Sequence, residues 1–120
     1  MATSKEQFIF LKNSLLLMDY AIKLGFILTY GEVSRTIEQQ TIYFKSGKSK
    51  TMDSNHLRKM AIDLNFIKNG KLITDPEILL PIGKYWISLN PKNRWGGDWN
   101  MNGNVKDENW HDCPHFEMLP

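Results

Sequence analysis

Phe8, Leu11, Leu15, Met18 and Ile22 recur three or four positions apart, the spacing of one helix face, and Gly25 after Leu24 supplies a stop. This pattern predicts an amphipathic helix over residues 4–24. Phe26 to Tyr30 reads as a short strand, and residues 35–43 as a second helix ending near Gly47. Ser46 to Asp53, rich in lysine, serine and glycine, reads as a loop. Residues 54–67 fit two patterns. Leu57, Met60, Ala61 and Leu64 suit a helix, whereas Met60, Ile62, Leu64 and Phe66 alternate as in a strand, with Ala61, Asp63 and Asn65 on the other face. Asn69-Gly70 followed by Lys71-Leu72-Ile73 signals a hairpin turn and favours the strand. Asp75-Pro76-Glu77 then opens another helix, with Asp75 as cap, Pro76 at the first position and an acidic first turn. It runs to about Leu89, before Asn90-Pro91. The last thirty residues are rich in tryptophan, glycine and asparagine and predict turns around a short final strand, 115–119.

At 120 residues, the expectation is one domain spanning 1–120, long enough to bury a core without cross-links. Apolar residues at 42% and charged residues at 23% exclude a disordered chain. A net charge of +2 falls short of the dense basic patch that nucleic-acid binding requires. A single cysteine, Cys113, rules out an intrachain disulfide and a cysteine-built structural zinc site. Lys12, Asn13 and Asp19 break the first apolar run, so neither a signal peptide nor a membrane insertion is expected. A monomer is expected.

The three histidines fall into two clusters, Ser54-Asn55-His56 through Asp63, and His111-Asp112-Cys113-Pro114-His115-Phe116-Glu117. Catalytic zinc commonly takes three protein ligands of histidine or carboxylate type and keeps its fourth position for water, and these clusters can supply such a set. The helical His-Glu-x-x-His signature is absent. On a helix, His56 and Asp63 would share a face two turns apart. If Met60 to Phe66 is a strand, Asp63 points away from the apolar side and His56 comes from the preceding loop. Pro114 blocks a helix through the second cluster, and an extended reading puts His115 and Glu117 on one face, with Phe116 and Met118 on the core face. On composition alone an ordinary His–Asp pair accounts for the same residues. His111 is an alternative ligand and Cys113 an alternative nucleophile. Glu117 suits either the support of a ligand or a solvated edge, and Trp95 and Trp99 either a substrate groove or packing.

Taken in order, Ser54-x-His56-x6-Asp63, then Trp95-Gly96-Gly97-Asp98-Trp99, then Asp112-x-x-His115-Phe116-Glu117 resembles the D-alanyl-D-alanine carboxypeptidase and L-alanyl-D-glutamate endopeptidase family of zinc peptidases, nearest its phage endolysin branch. The resemblance runs from about Gly25 to Met118. It implies one Zn2+ held by His56, Asp63 and His115, with Asp112 as the catalytic acid and base. It also implies that Arg35 binds substrate, with Ser54, Gln40, Trp95, Asp98 and Glu117 in substrate-binding or supporting positions. The family often has glycine where this chain has Lys59, a position at which glycine permits an unusual backbone angle. The implied fold is α+β, a small antiparallel sheet packed with two or three helices and carrying the zinc site (the D-Ala-D-Ala peptidase, or hedgehog-like, fold).

The implied activity is hydrolysis of the L-Ala–D-Glu bond in peptidoglycan stem peptides. The enzyme would be made in a host cytoplasm and act on the wall after release. A D-Ala-D-Ala carboxypeptidase or dipeptidase is the alternative within the class, and a non-catalytic zinc-dependent wall-binding module the alternative outside it. A nuclease would need a basic cluster near the histidines, where only Arg58 and Lys59 stand.

Overall fold

The computed structural model describes residues 2–33, 37–47, 59–107 and 110–120. The elements among them are α1 (Ser4–Lys23), β1 (Ile27–Tyr30), α2 (Ile37–Ser46), β2 (Ala61–Lys68), β3 (Lys71–Ile73), α3 (Pro76–Leu89), β4 (Asn93–Trp95) and β5 (His115–Met118). The sheet is antiparallel, ordered β1-β2-β5-β4, with β3 also paired to β2. This is the expected α+β class. No helix among the described residues is long and apolar enough to cross a membrane.

The two-way pattern at residues 54–67 resolves as a strand from Ala61 onward. Ile62, Leu64 and Phe66 are buried, while Asp63 and Asn65 face the other side. The following turn is the Asn69-Gly70 hairpin, and both of its residues adopt positive φ. β2 is long enough to serve three neighbours. One edge carries β1, and the other carries β5 at its start and β3 at its end.

α1 has the predicted span but presents a different face. Phe10, Asn13, Ser14, Leu17 and Ala21 are buried, whereas Phe8, Leu11, Leu15 and Ile22 are each more than half exposed. The helix carries two apolar stripes. The docked one contains the small residues Ser14 and Ala21, which let the helix approach closely, and Ser14 satisfies its hydroxyl on the Phe10 carbonyl at 2.8 Å. α3 starts as read, with the Asp75 carboxylate accepting from the Glu77 N–H at 2.9 Å and Pro76 in the first turn. β4 is an addition, since residues 93–95 have no alternating pattern and were expected to be irregular.

The core lies between α1, α3 and one face of the sheet. Trp86 of α3 stands edge-on to Phe10 of α1 and Phe116 of β5, with ring centroids at 5.6 and 5.9 Å. Its indole N–H donates to the carbonyls of Arg94 and Glu117, both at 3.1 Å, and so ties α3 to β4 and β5. A buried tryptophan with its N–H satisfied contributes its full apolar area without a desolvation penalty.

Candidate metal centre

β2 and β5 pair with Asp63 directly opposite His115. Both side chains project from the sheet face turned away from the core, opposite Ile62, Leu64 and Phe116. Asp112 enters from the turn before β5, where its carbonyl accepts the His115 N–H at 3.0 Å. One ligand atom from each of Asp63, Asp112 and His115 lies within 4.8 Å of the others, so these three residues could hold a metal ion. Two carboxylates facing one imidazole at this spacing suit a divalent cation.

The backbone around the three is held from both sides. The Asp63 N–H donates to Glu32 O at 2.7 Å, and the Asp63 carbonyl accepts from the Gly31 N–H at 2.8 Å. Across the cluster, the Gly96 N–H donates to His115 O at 2.9 Å while the Asp112 N–H donates to Gly96 O at 2.8 Å. A Cβ at position 96 would stand 2.0 Å from the Asp112 carbonyl oxygen. Gly96 therefore lets the end of β4 clamp Asp112 and His115 together, which gives the Trp95-Gly96-Gly97-Asp98-Trp99 stretch a physical purpose.

His115 is buried, and its two ring nitrogens have different partners. Nδ1 faces Asp63 Oδ1 at 3.2 Å, and Nε2 meets Glu117 Oε1 at 2.5 Å. Glu117 Oε2 in turn accepts from Arg94 Nε at 3.0 Å and Nη2 at 2.7 Å. Burial disfavours the charged imidazole, but the hydrogen bonds and charges of Asp63 and Glu117 outweigh it and raise the His115 pKa to about 9. Burial likewise pushes Glu117 up, and His115 with Arg94 outweigh it and hold the carboxyl below its usual value. The arrangement leaves Nδ1 turned towards the carboxylate cluster and gives Nε2 an ionic partner, the pattern that orients a metal-binding imidazole.

Among the other sequence-predicted residues, Glu117 is a buried partner of His115, not a solvated edge charge. Trp95 is wholly buried against Phe116 and donates to Cys113 O at 2.8 Å, so it packs and lines no groove. Trp99 is partly buried, stacks on Trp110 at 5.5 Å and lies 5.6 Å from the His115 ring. Asp98 is buried, and Gln40 is buried on α2. His111 bonds the Val105 carbonyl at 2.6 Å instead of joining the cluster. Cys113 is buried, and burial with the nearby Asp112 charge pushes its thiol up to about 11, which removes it as a nucleophile. Arg35, Ser54 and His56 lie outside the described residues. Arg94, which holds Glu117, was missed. It belongs to the short strand that the sequence pattern does not announce.

An antiparallel sheet with carboxylates and an imidazole gathered on its open face defines the class, an α+β protein with a candidate divalent-metal centre. The model of the phage L-alanyl-D-glutamate peptidase family matches residues 3–119, and the chain belongs to that family. No functionally curated sequence matches the chain significantly. The fold is also similar to that of the crystal structure of Serratia marcescens L-Ala D-Glu endopeptidase ChiX, with a TM-score of 0.62 and 20% identity over 86% of this chain and 75% of that one.

Proposed function

We propose that this chain is a zinc-dependent endopeptidase that hydrolyses the L-Ala–D-Glu bond of peptidoglycan stem peptides during cell lysis. The observation that carries the reading is the convergence of Asp63, Asp112 and His115 in a chain of the phage L-alanyl-D-glutamate peptidase family. The endopeptidase ChiX, of similar fold, is consistent with it. In this reading His56, Asp63 and His115 hold one Zn2+, and Asp112 stays free for proton transfer. The ion supplies Lewis acidity, which activates water near neutral pH and polarises the scissile carbonyl.

The chain's own residues do the rest. Asp112 accepts a proton from the attacking water as its oxygen bonds to the L-Ala carbonyl carbon. It returns that proton to the departing D-Glu nitrogen as the C–N bond breaks. Arg35 pairs with a carboxylate of the stem peptide and fixes its register. Glu117 holds His115 in one orientation, backed by Arg94. Trp99 and Trp110 form an aromatic wall beside the centre, against which the peptide lies.

Digestion of purified peptidoglycan, with mass spectrometry of the fragments, tests this proposal. New amino termini on D-Glu are expected, with one zinc per chain by elemental analysis. Asp112→Ala should keep the zinc and lose roughly 10²–10⁴-fold in rate, the usual worth of a general acid–base group. Release of free D-alanine would instead mark a carboxypeptidase. Intact peptidoglycan with tight sedimentation of the protein would mark a wall-binding module.

A further inference from the structure

α1 carries more apolar surface than its own core takes. Phe10, Leu17 and Ala21 face inward and are buried. On the outward side, Phe8, Leu11, Leu15 and Ile22 are each more than half exposed, with Met18 partly buried in the same row. Positions 8, 11, 15, 18 and 22 follow one another by alternating steps of three and four, the apolar seam of a coiled coil over two heptads. A contiguous stripe of this kind on a soluble domain marks an interaction surface. We propose that the stripe pairs two copies of this chain, their α1 helices packed antiparallel about a two-fold axis. Nothing in the proposal depends on the peptidase reading, and it replaces the monomer expected from the sequence.

The residues bordering the seam choose both the occupant and the direction. One border is the domain itself, since Ser14 and Ala21 on that side are buried. The other border carries Lys12 and Asp19, both exposed, one heptad apart and opposite in charge. A parallel pair would set this charged border against the buried one of the second copy, where neither charge finds a partner. An antiparallel pair sets the two charged borders against each other. The register that puts Leu15 opposite Met18 of the second copy, and Leu11 opposite Ile22, also brings Lys12 beside Asp19 of the second copy. Two-fold symmetry makes that contact twice. Asp19 Oδ2 already meets Lys23 Nζ at 2.8 Å, and its other oxygen serves the lysine across the seam. Phe8 then reaches just beyond the last turn of the opposite helix, where Leu24 and Ile27 are exposed.

A lipid surface fits this stripe less well. α1 has three lysines and two acidic residues, a net charge of +1, and one of the acids borders the stripe. Leu16 is a further exposed apolar residue of α1, but the row containing Lys12 and Asp19 separates it from the seam. Two heptads bury little area, so the pairing is weak, with Kd on the order of 10 µM. α1 packs on the core side of the sheet, whereas Asp63 and His115 project from the other face, so pairing leaves both metal centres open. A dimer therefore presents two centres to one polymeric ligand and stays longer on it than either copy alone.

Sedimentation equilibrium of the full chain with zinc, from roughly 1 µM to 1 mM, tests the proposal. The mass should rise from 14.0 kDa towards twice that value. Leu15→Lys should remain monomeric throughout, with an unchanged circular dichroism spectrum because the position is exposed. Leu16→Lys should pair as the wild type does. Lys12→Asp and Asp19→Lys should each weaken pairing roughly tenfold, since two attractions become two repulsions. Mixed in equal amounts, those two variants should pair with each other at about wild-type strength, because every contact across the seam is again between lysine and aspartate. The proposal is overturned by a wild-type mass that stays at 14.0 kDa, by pairing that survives Leu15→Lys, by an equal loss in Leu16→Lys, or by a mixture that pairs no better than its components. Binding to anionic vesicles through the same stripe, without pairing in solution, would overturn it in favour of a lipid surface.

Discussion

Glu117 Oε1 lies 2.5 Å from His115 Nε2, two residues along the same strand, while Glu117 Oε2 is held by Arg94. The pair fixes which imidazole nitrogen faces Asp63 and Asp112. Glu117→Gln keeps the shape and removes the charge, which lowers the basicity of His115 towards a metal. Zinc affinity is expected to fall about 10–100-fold, as for other partners behind a metal-binding histidine. Competition with a chromophoric chelator measures it. Affinity equal to the wild type, in a variant of unchanged circular dichroism, would show that the pair is merely structural.

In the metal-free protein the same contacts make stability depend on pH. The folded pKa of His115, about 9, lies above its ordinary value of 6.5. The folded state therefore binds the proton more tightly than the unfolded chain. The contribution is fully present below about pH 6.5 and is lost as pH rises through about 9. It amounts to something on the order of 3 kcal/mol, taking 1.36 kcal/mol per pKa unit. Urea unfolding of chelator-treated protein between pH 6 and 10 should show the decline, and His115→Gln should flatten it. A wild-type profile that rises over this range would contradict the assignment.

Gly96→Ala tests the clamp. The added methyl would sit 2.0 Å from the Asp112 carbonyl oxygen and 3.1 Å from its Cβ, and both are on backbone or close to it, so relief requires the turn to shift. Overpacking of this kind costs about 1–3 kcal/mol. If Asp112 carries the proton as proposed, displacing it spoils the alignment for transfer, where even a 1 Å error costs on the order of 10²-fold. The expected signature is a thermal midpoint a few degrees lower together with a much larger loss of peptidoglycan hydrolysis. A midpoint loss with activity intact would separate Gly96 from the positioning of Asp112.

The elements that the sequence announces are those whose local chemistry and burial agree. Ile62, Leu64 and Phe66 alternate because one face of β2 is buried, and Asn69-Gly70 and Asp75-Pro76 mark turn and cap by their backbone preferences. α1 was legible in extent but not in orientation. It has two apolar stripes, and only the small size of Ser14 and Ala21 on one of them decides which docks. Asp63 and His115 were legible as candidates because their residue types are chemical. Their meeting depends on the β2–β5 register between strands distant in sequence, which no local pattern encodes. Arg94 was invisible for the same reason, since its role exists only once β4 lies beside Glu117. The Gly96 clamp and the buried Asp98 carboxylate likewise become interpretable only with the turns in place.

Lys59 shows how a departure from a family pattern can be read as geometry. Its φ is +58, in the left-handed region, and it immediately precedes the fully buried Met60 at the entrance to β2. A side chain there brings its Cβ against the backbone and costs about 1 kcal/mol, which glycine avoids. Lysine occupies the position with its side chain exposed. Lys59→Gly should therefore stabilise the chain by up to about 0.5 kcal/mol, what is left of the strain relief after the entropy that glycine adds to the unfolded state. The thermal midpoint should rise by up to about 2 °C. Lys59→Val, branched at the carbon that clashes, should lower it by at least as much. Zinc affinity should be unchanged in Lys59→Gly if the lysine costs only local strain. A tighter zinc site in that variant would mean instead that Lys59 distorts the segment leading from His56 to Asp63.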